Sequence, residues 1–211
     1  QAGKLEDAVT HLEQYLSVQE QLRQAVPDNR TTAQASMTDA RFLMAKIYEG
    51  LGKYQKAIEQ LALIDEPLAR NNVLIEQAAL YIKLKSYTQA HALLEQIAPE
   101  EDEDAYVRAL LMNATLSRDL GEFEQGLAYV ERALRYFPDN IFIRYSQAMM
   151  FEKMGNIEQA IGVLEQILLD FPFETESYNG LGYVLADNNL RLEDALMLIE
   201  RALALAPDSV H

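Results

Sequence analysis

The chain has 211 residues, enough for one or two domains, with 18 Lys and Arg against 33 Asp and Glu and a net charge of -15. That acidity argues against a nucleic-acid or anionic-membrane surface, because each needs a field of the opposite sign. No apolar run approaches the roughly 18 residues of a membrane span, and the absence of Cys excludes disulfides, thiolate catalysis and Cys-ligated metals. A Cys-free chain suits an oxidising periplasm and a reducing cytosol alike. Six Pro and nine Gly leave long uninterrupted segments, which favours helices over strands.

Taken in chain order, one short pattern recurs: a turn, an aromatic or aliphatic residue, two polar residues, then a small residue. It reads GKLEDA (3–8), GKYQKA (52–57), KSYTQA (85–90), GEFEQG (121–126) and GNIEQA (155–160), and LRLEDA (190–195) fits with its Gly lost. The closing residues Ala8, Ala57, Ala90, Gly126, Ala160 and Ala195 are spaced by 49, 33, 36, 34 and 35. A period near 34 marks a stacked repeat.

Each unit predicts a helical hairpin. In residues 141–174, Tyr145, Ala148, Phe151 and Met154 give a first helix before the turn at Gly155. Ile157, Ala160, Ile161, Leu164, Ile167 and Leu168 give a second helix that stops at Phe171-Pro172. Both sets keep the i, i+3, i+4, i+7 spacing of an amphipathic helix. Pro138, Pro172 and Pro207 end their hairpins, since Pro lacks the N–H that would continue the helix. The recurring small residue is expected where two helix axes approach closely.

The 49-residue interval predicts a longer hairpin. Leu12, Tyr15, Leu16 and Leu22 carry a second helix to about Ala25, and Ala33, Met37, Ala40, Met44, Ile47 and Leu51 form the seam of the next first helix. Each helix gains about seven or eight residues, or roughly 11 Å at the helical rise. The result is a protruding spur tipped by Pro27, Asp28, Asn29 and Arg30.

These units, best seen in IFIRYSQAMMFEKMGNIEQAIGVLEQILLDFPFE and TESYNGLGYVLADNNLRLEDALMLIERALALAPDS, resemble tetratricopeptide repeats. The resemblance implies an all-α fold: a right-handed superhelical solenoid of antiparallel helix pairs, about five and a half repeats long. It divides 1–211, a single array within a longer one, into a truncated repeat at 1–29 and repeats at 30–66, 71–99, 107–140, 141–174 and 175–209. The usual Trp is absent, with Arg41, Leu74, Leu110, Arg144 and Tyr178 in its place, and Pro67 and Pro99 come early.

No catalytic, cofactor or metal site is expected. His11, His91 and His211 lack partners at catalytic or metal spacing. The acidic run EEDED (100–104) lacks the alternation of a calcium loop and suits the start of a helix. Function therefore falls to shape, since solenoids present long concave surfaces. In the resembled family the first helices line that surface, which implies a partner groove of Phe42, Lys46, Lys83, Arg108, Leu111, Arg118, Tyr145, Met149, Lys153, Asn179 and Tyr183. Lys83, Arg108, Arg118 and Lys153 around Leu111, Tyr145 and Met149 would suit a peptide bearing carboxylates. The family's carboxylate clamp is not reproduced, because Ile75, Ala79 and Met112 stand where polar residues are needed.

The expectation is a non-catalytic scaffold or adaptor for a partner protein or peptide, with no nucleic acid. GLGYVLADNNLRLEDALMLIERALALAPDS (180–209) is similar to repeats of proteobacterial outer-membrane lipoproteins, some of which recruit a periplasmic carboxyl-terminal processing protease. That resemblance implies a periplasmic, outer-membrane-anchored protein; without it a cytoplasmic one stays open. Two other readings also stay open: the regulatory arm of an enzyme, and self-association through the apolar face of Leu196, Ile199, Leu203 and Leu205.

Overall fold

The computed structural model describes residues 2–25, 30–100 and 102–206. The spur tip Pro27, Asp28 and Asn29, the Arg30 side chain, Glu101 and residues 207–211 lie outside the described set. Within that set the chain is all-helical, without a strand: α1 (Ala2–Ala25), α2 (Arg30–Gly50), α3 (Tyr54–Ala62), α4 (Arg70–Lys83), α5 (Tyr87–Leu94), α6 (Glu103–Leu120), α7 (Phe123–Leu134), α8 (Ile141–Lys153), α9 (Ile157–Asp170), α10 (Thr175–Asp187) and α11 (Leu192–Leu205). A 3-10 turn at Pro67–Ala69 leads into α4. The fold divides into two compact units, with the boundary between Ala109 and Leu110.

The hairpin turns share one mechanism. Gly52, Lys85, Gly121, Gly155 and Asn189 all have positive φ, between 53° and 79°. At each, two backbone hydrogen bonds close the preceding helix, as where Gly155 N–H reaches Glu152 O at 2.9 Å and Asn156 N–H reaches Phe151 O at 2.9 Å. This is the left-handed helix stop that Gly adopts without strain. Asn189 fills the role in the sixth pattern, where the Gly is lost, and Asn is the side chain that tolerates it best. Arg191 is a second left-handed residue in that last turn, with φ of 43°.

First helices α6 and α8 start from side-chain caps, whereas α4 has none. Asn140 Oδ1 accepts from Ile143 N–H at 3.2 Å, and Asp102 Oδ1 accepts from Ala105 N–H at 2.9 Å. Glu103 and Asp104 follow in the first turn of α6, where carboxylates favour the positive end of the helix dipole. The acidic run thus starts α6 four residues ahead of 107.

In unit 1, α1 packs on α2, α2 on α3, α3 on α4 and α4 on α5. At 24 and 21 residues, α1 and α2 exceed the 14 of α4. Met44, Ala57, Leu61, Val73 and Leu80 form its core. In unit 2, α7 packs on α8, α8 on α9, α9 on α10 and α10 on α11, around Ala148, Leu164, Ile167, Val184 and Leu185. Ala57, Ala90 and Ala160 are completely buried, and Ala195 is 2% exposed. Burying each large aliphatic chain contributes about 1.5–3 kcal/mol.

Small residues set the closest approaches. A Cβ added at Gly182 would stand 2.7 Å from Ile199 Cγ1 and 3.1 Å from the Ala195 carbonyl. One at Gly126 would stand 2.8 Å from the Met150 terminal methyl. Both Cβ atoms also approach a backbone carbonyl, Ala195 O at 3.1 Å and Ala114 O at the milder 3.3 Å, but the nearest obstacle at Gly126 is the end of a flexible Met side chain. Gly182→Ala is therefore expected to lower stability by about 1–3 kcal/mol, despite a helix-propensity gain of about 1 kcal/mol. Gly126→Ala should stay near neutral. Denaturant melts of the two variants check this, and equal losses would contradict it.

Candidate functional site

The expected groove residues fall on α2, α4 and the start of α6 in unit 1, and on the rest of α6, α8 and α10 in unit 2. In unit 1 the cations are engaged. Lys46 Nζ donates to Glu76 Oε2 at 2.6 Å and lies 3.5 Å from Glu49. Lys83 Nζ donates to Glu49 Oε1 at 2.7 Å and sits 5.9 Å from the Tyr54 ring centre. Arg108 Nη2 donates to Asn72 Oδ1 at 3.2 Å. These bonds tie α2 to α4 and α4 to α6, so the cations staple neighbouring first helices. Phe42 is half-buried against the core and also serves packing.

The Lys83 ammonium holds the Glu49 carboxyl below the usual range against partial burial, with Lys46 adding to the effect. The hydrogen bonds to Glu76 and Glu49 raise Lys46 and Lys83 respectively. Glu76 is the participant that sequence reasoning missed. Its place opposite Lys46 depends on how far apart α2 and α4 lie, which residue spacing does not encode.

In unit 2, Leu111, Thr115 and Arg118 from α6 meet Phe142, Tyr145, Ser146 and Met149 from α8 around a recess of about 140 Å³. Tyr145 closes the side toward α10: a Cβ at Gly180 would stand 2.8 Å from its ring. Burial, then the Glu176 charge, pushes the Tyr145 hydroxyl pKa up. Phe142 is 69% exposed and Tyr183 51% exposed, and Asn179 is exposed beside them on α10. Arg118 Nη2 pairs with Asp119 at 3.1 Å and Lys153 with Glu152 at 3.1 Å. The expected row of cations is thus muted by neighbouring carboxylates, and the exposed aromatic residues are its most available feature.

Among the described residues, no group of three His, Asp or Glu could hold a metal ion, and no helix is long and apolar enough to cross a membrane. His11 lies on the exposed side of α1 with Nδ1 2.8 Å from the Asp7 carbonyl. On α11, Leu196 and Leu203 are 58% and 48% exposed, while Ile199 and Leu205 are half-buried.

Helical hairpins joined by left-handed stops, with side chains of successive first helices aligned in a row, define a helical-repeat protein. The tetratricopeptide-repeat family models match residues 145–210 and residues 38–63, and these matches support that family for those segments. A TPR repeat-containing protein of Pseudomonas aeruginosa is 23% identical over 169 residues, covering 80% of this chain and 28% of its own length. The uncharacterized protein ycf37 of Cyanophora paradoxa is 30% identical over 97 residues, covering 45% of this chain and 56% of its own. The chain therefore spans only part of both curated relatives.

Three solved structures share the fold. BtubC from P. vanneervenii has a TM-score of 0.72 at 14% identity, covering 98% of this chain and 93% of its own. MamA from Desulfovibrio magneticus RS-1 gives 0.64 at 12% identity, covering 83% and 98%. YrrB, a TPR protein with an unusual peptide-binding site, gives 0.57 at 16% identity, covering 82% and 88%.

A carboxylate whose pKa falls on folding contributes stability above its unfolded pKa and loses it as pH falls through the folded value. Glu49 is such a group. Glu49→Gln is expected to cost under about 1 kcal/mol near neutral pH, and its difference from the parent should close as the solution is acidified. Denaturant midpoints measured across the acid range check this. A gap that stays constant down to low pH would contradict the assignment.

Proposed function

We propose that the chain is a non-catalytic scaffold that holds a partner protein or peptide along α6, α8 and α10. The observation that carries this reading is the small recess lined in part by exposed Phe142, together with exposed Tyr183 on α10. At about 140 Å³ it is smaller than the roughly 300–1,000 Å³ of small-molecule sites, and it suits one partner side chain. Exposed aromatic residues flanking a recess are favoured anchors of protein interfaces. The matched repeat segments and the peptide-binding site in the description of YrrB support the same class of function.

The partner we propose is a periplasmic carboxyl-terminal processing protease, recruited by a protein anchored at the outer membrane. The lipoprotein resemblance of residues 180–209 supports that choice.

Titration calorimetry with a purified proteobacterial carboxyl-terminal processing protease is the test. Saturable binding is expected, weakened by about tenfold or more in Phe142→Ala and in Tyr183→Ala, a loss of roughly 1.4 kcal/mol each. Helical signal and melting should stay unchanged, since both side chains are exposed. Unaltered affinity in both variants would remove the α8–α10 row from the site. No binding to the protease, with another protein held in equal amount, would overturn the choice of partner alone. The same samples should stay monomeric as concentration rises. A mass that climbs would point instead to self-association through Leu196 and Leu203.

A further inference from the structure

A cleft of about 600 Å³ lies between α9 and α11 in unit 2, with α10 as its floor. Leu168 and Leu169 of α9, Tyr178 and Leu181 of α10, and Met197 and Leu198 of α11 line it. Leu169 and Met197 are 77% and 60% exposed. None of these residues lines the α6–α8 recess.

The repeat itself supplies the comparison. Residues 34 positions earlier, just after α7 and on α8, stand where Leu169, Tyr178 and Leu181 stand, and they are Arg135, Arg144 and Gln147. Residues 35 positions earlier on α9 match Met197 and Arg201, and they are Gly162 and Gln166. There Arg144 donates to Asp170 Oδ2 at 2.7 Å, so a salt bridge occupies the junction. Leu168 and Leu198 keep apolar counterparts in Leu134 and Val163, so stacking proceeds with a mixed lining, and the added apolar residues Leu169, Leu181 and Met197 between α9 and α11 are a departure that stacking does not require.

The rim has its own charge arrangement. The extra residue in the α10–α11 turn brings Arg191, in its left-handed conformation, over the cleft edge. Its guanidinium donates to Glu165 Oε1 at 2.7 Å and to Asp194 Oδ2 at 2.8 Å. One guanidinium is thereby shared between both rim carboxylates, and with Arg201 the four rim charges balance. Arg201 is exposed and has no ion-pair partner among the described residues, so its guanidinium is the rim group available to a carboxylate beside the apolar cleft. A volume of this size fits two or three apolar side chains with one polar contact fixing their orientation.

We propose that the α9–α11 cleft is a second docking site, taking a partner peptide segment that carries apolar side chains beside a carboxylate. The carboxylate meets Arg201 while the apolar residues cover Leu169 and Met197.

A displayed library of short random peptides, selected on the protein and read out by its methionine-methyl NMR signals, tests this. Met197 reports the cleft and Met149 the α6–α8 recess. Selected peptides should combine Leu, Met or Phe with Glu or Asp, and should move the Met197 signal saturably. Arg201→Glu should weaken such a peptide by about tenfold or more, and Leu169→Asp should abolish the Met197 shift; both positions are exposed, so the fold persists. Peptides that move only Met149 would overturn this site while supporting the recess. Selection without acidic enrichment, binding indifferent to Arg201→Glu, or no peptide that moves Met197 would overturn it outright.

Discussion

Close approach of two helices at one small residue is the constraint on which the rest of this structure depends. Ala57, Ala90, Gly126, Ala160 and Ala195 each open a second helix and sit buried against the helix before them. Only there can the two axes come close enough for the larger side chains above and below to interlock. The left-handed stops at Gly52, Lys85, Gly121, Gly155 and Asn189 set the point of reversal, so the small residue always arrives five or six residues later, in contact range. Stop and contact together generate a hairpin, and a hairpin repeated near every 34 residues can bury its apolar faces only against its neighbours.

Once the second helices are committed to packing, the first helices are free to carry side chains for other ends. In unit 1 that freedom is used internally: Lys46–Glu76, Lys83–Glu49 and Arg108–Asn72 join successive first helices. In unit 2 the equivalent row holds exposed Phe142 at a recess between α6 and α8 and exposed Tyr183 on α10, with its cations turned to adjacent carboxylates. The same fold thus supports a cross-braced surface and an available one, and the difference lies in which residues occupy equivalent positions rather than in the backbone.

Hairpin boundaries were legible because backbone sterics write them directly into residue type. Gly or Asn at a left-handed stop, a small residue soon after, and Pro beyond a second helix need no partner to be interpreted. The fully buried second-helix residues Leu164 and Ile167 also followed from helical periodicity. Less legible were features that depend on distances between elements. Glu76 meets Lys46 only because α2 lies beside α4. Leu168 belongs to the apolar stripe of its own helix, and only the separation of α9 from α11 shows that a cleft lies between it and Met197 and Leu198. The division between Ala109 and Leu110 falls inside one continuous helix, α6, and so leaves no punctuation in the sequence.

The most direct test of the central constraint is native-state hydrogen exchange, resolved by mass spectrometry, on Ala160→Leu. Ala160 is completely buried at the α8–α9 contact, and a Leu there must force the helices apart. The account predicts loss of protection centred on α8 and α9 and extending into α10, while the α2–α3 hairpin exchanges as in the parent, since each repeat depends on its neighbours. Unchanged protection at α8 and α9, or a loss of equal size in α2 and α3, would contradict it.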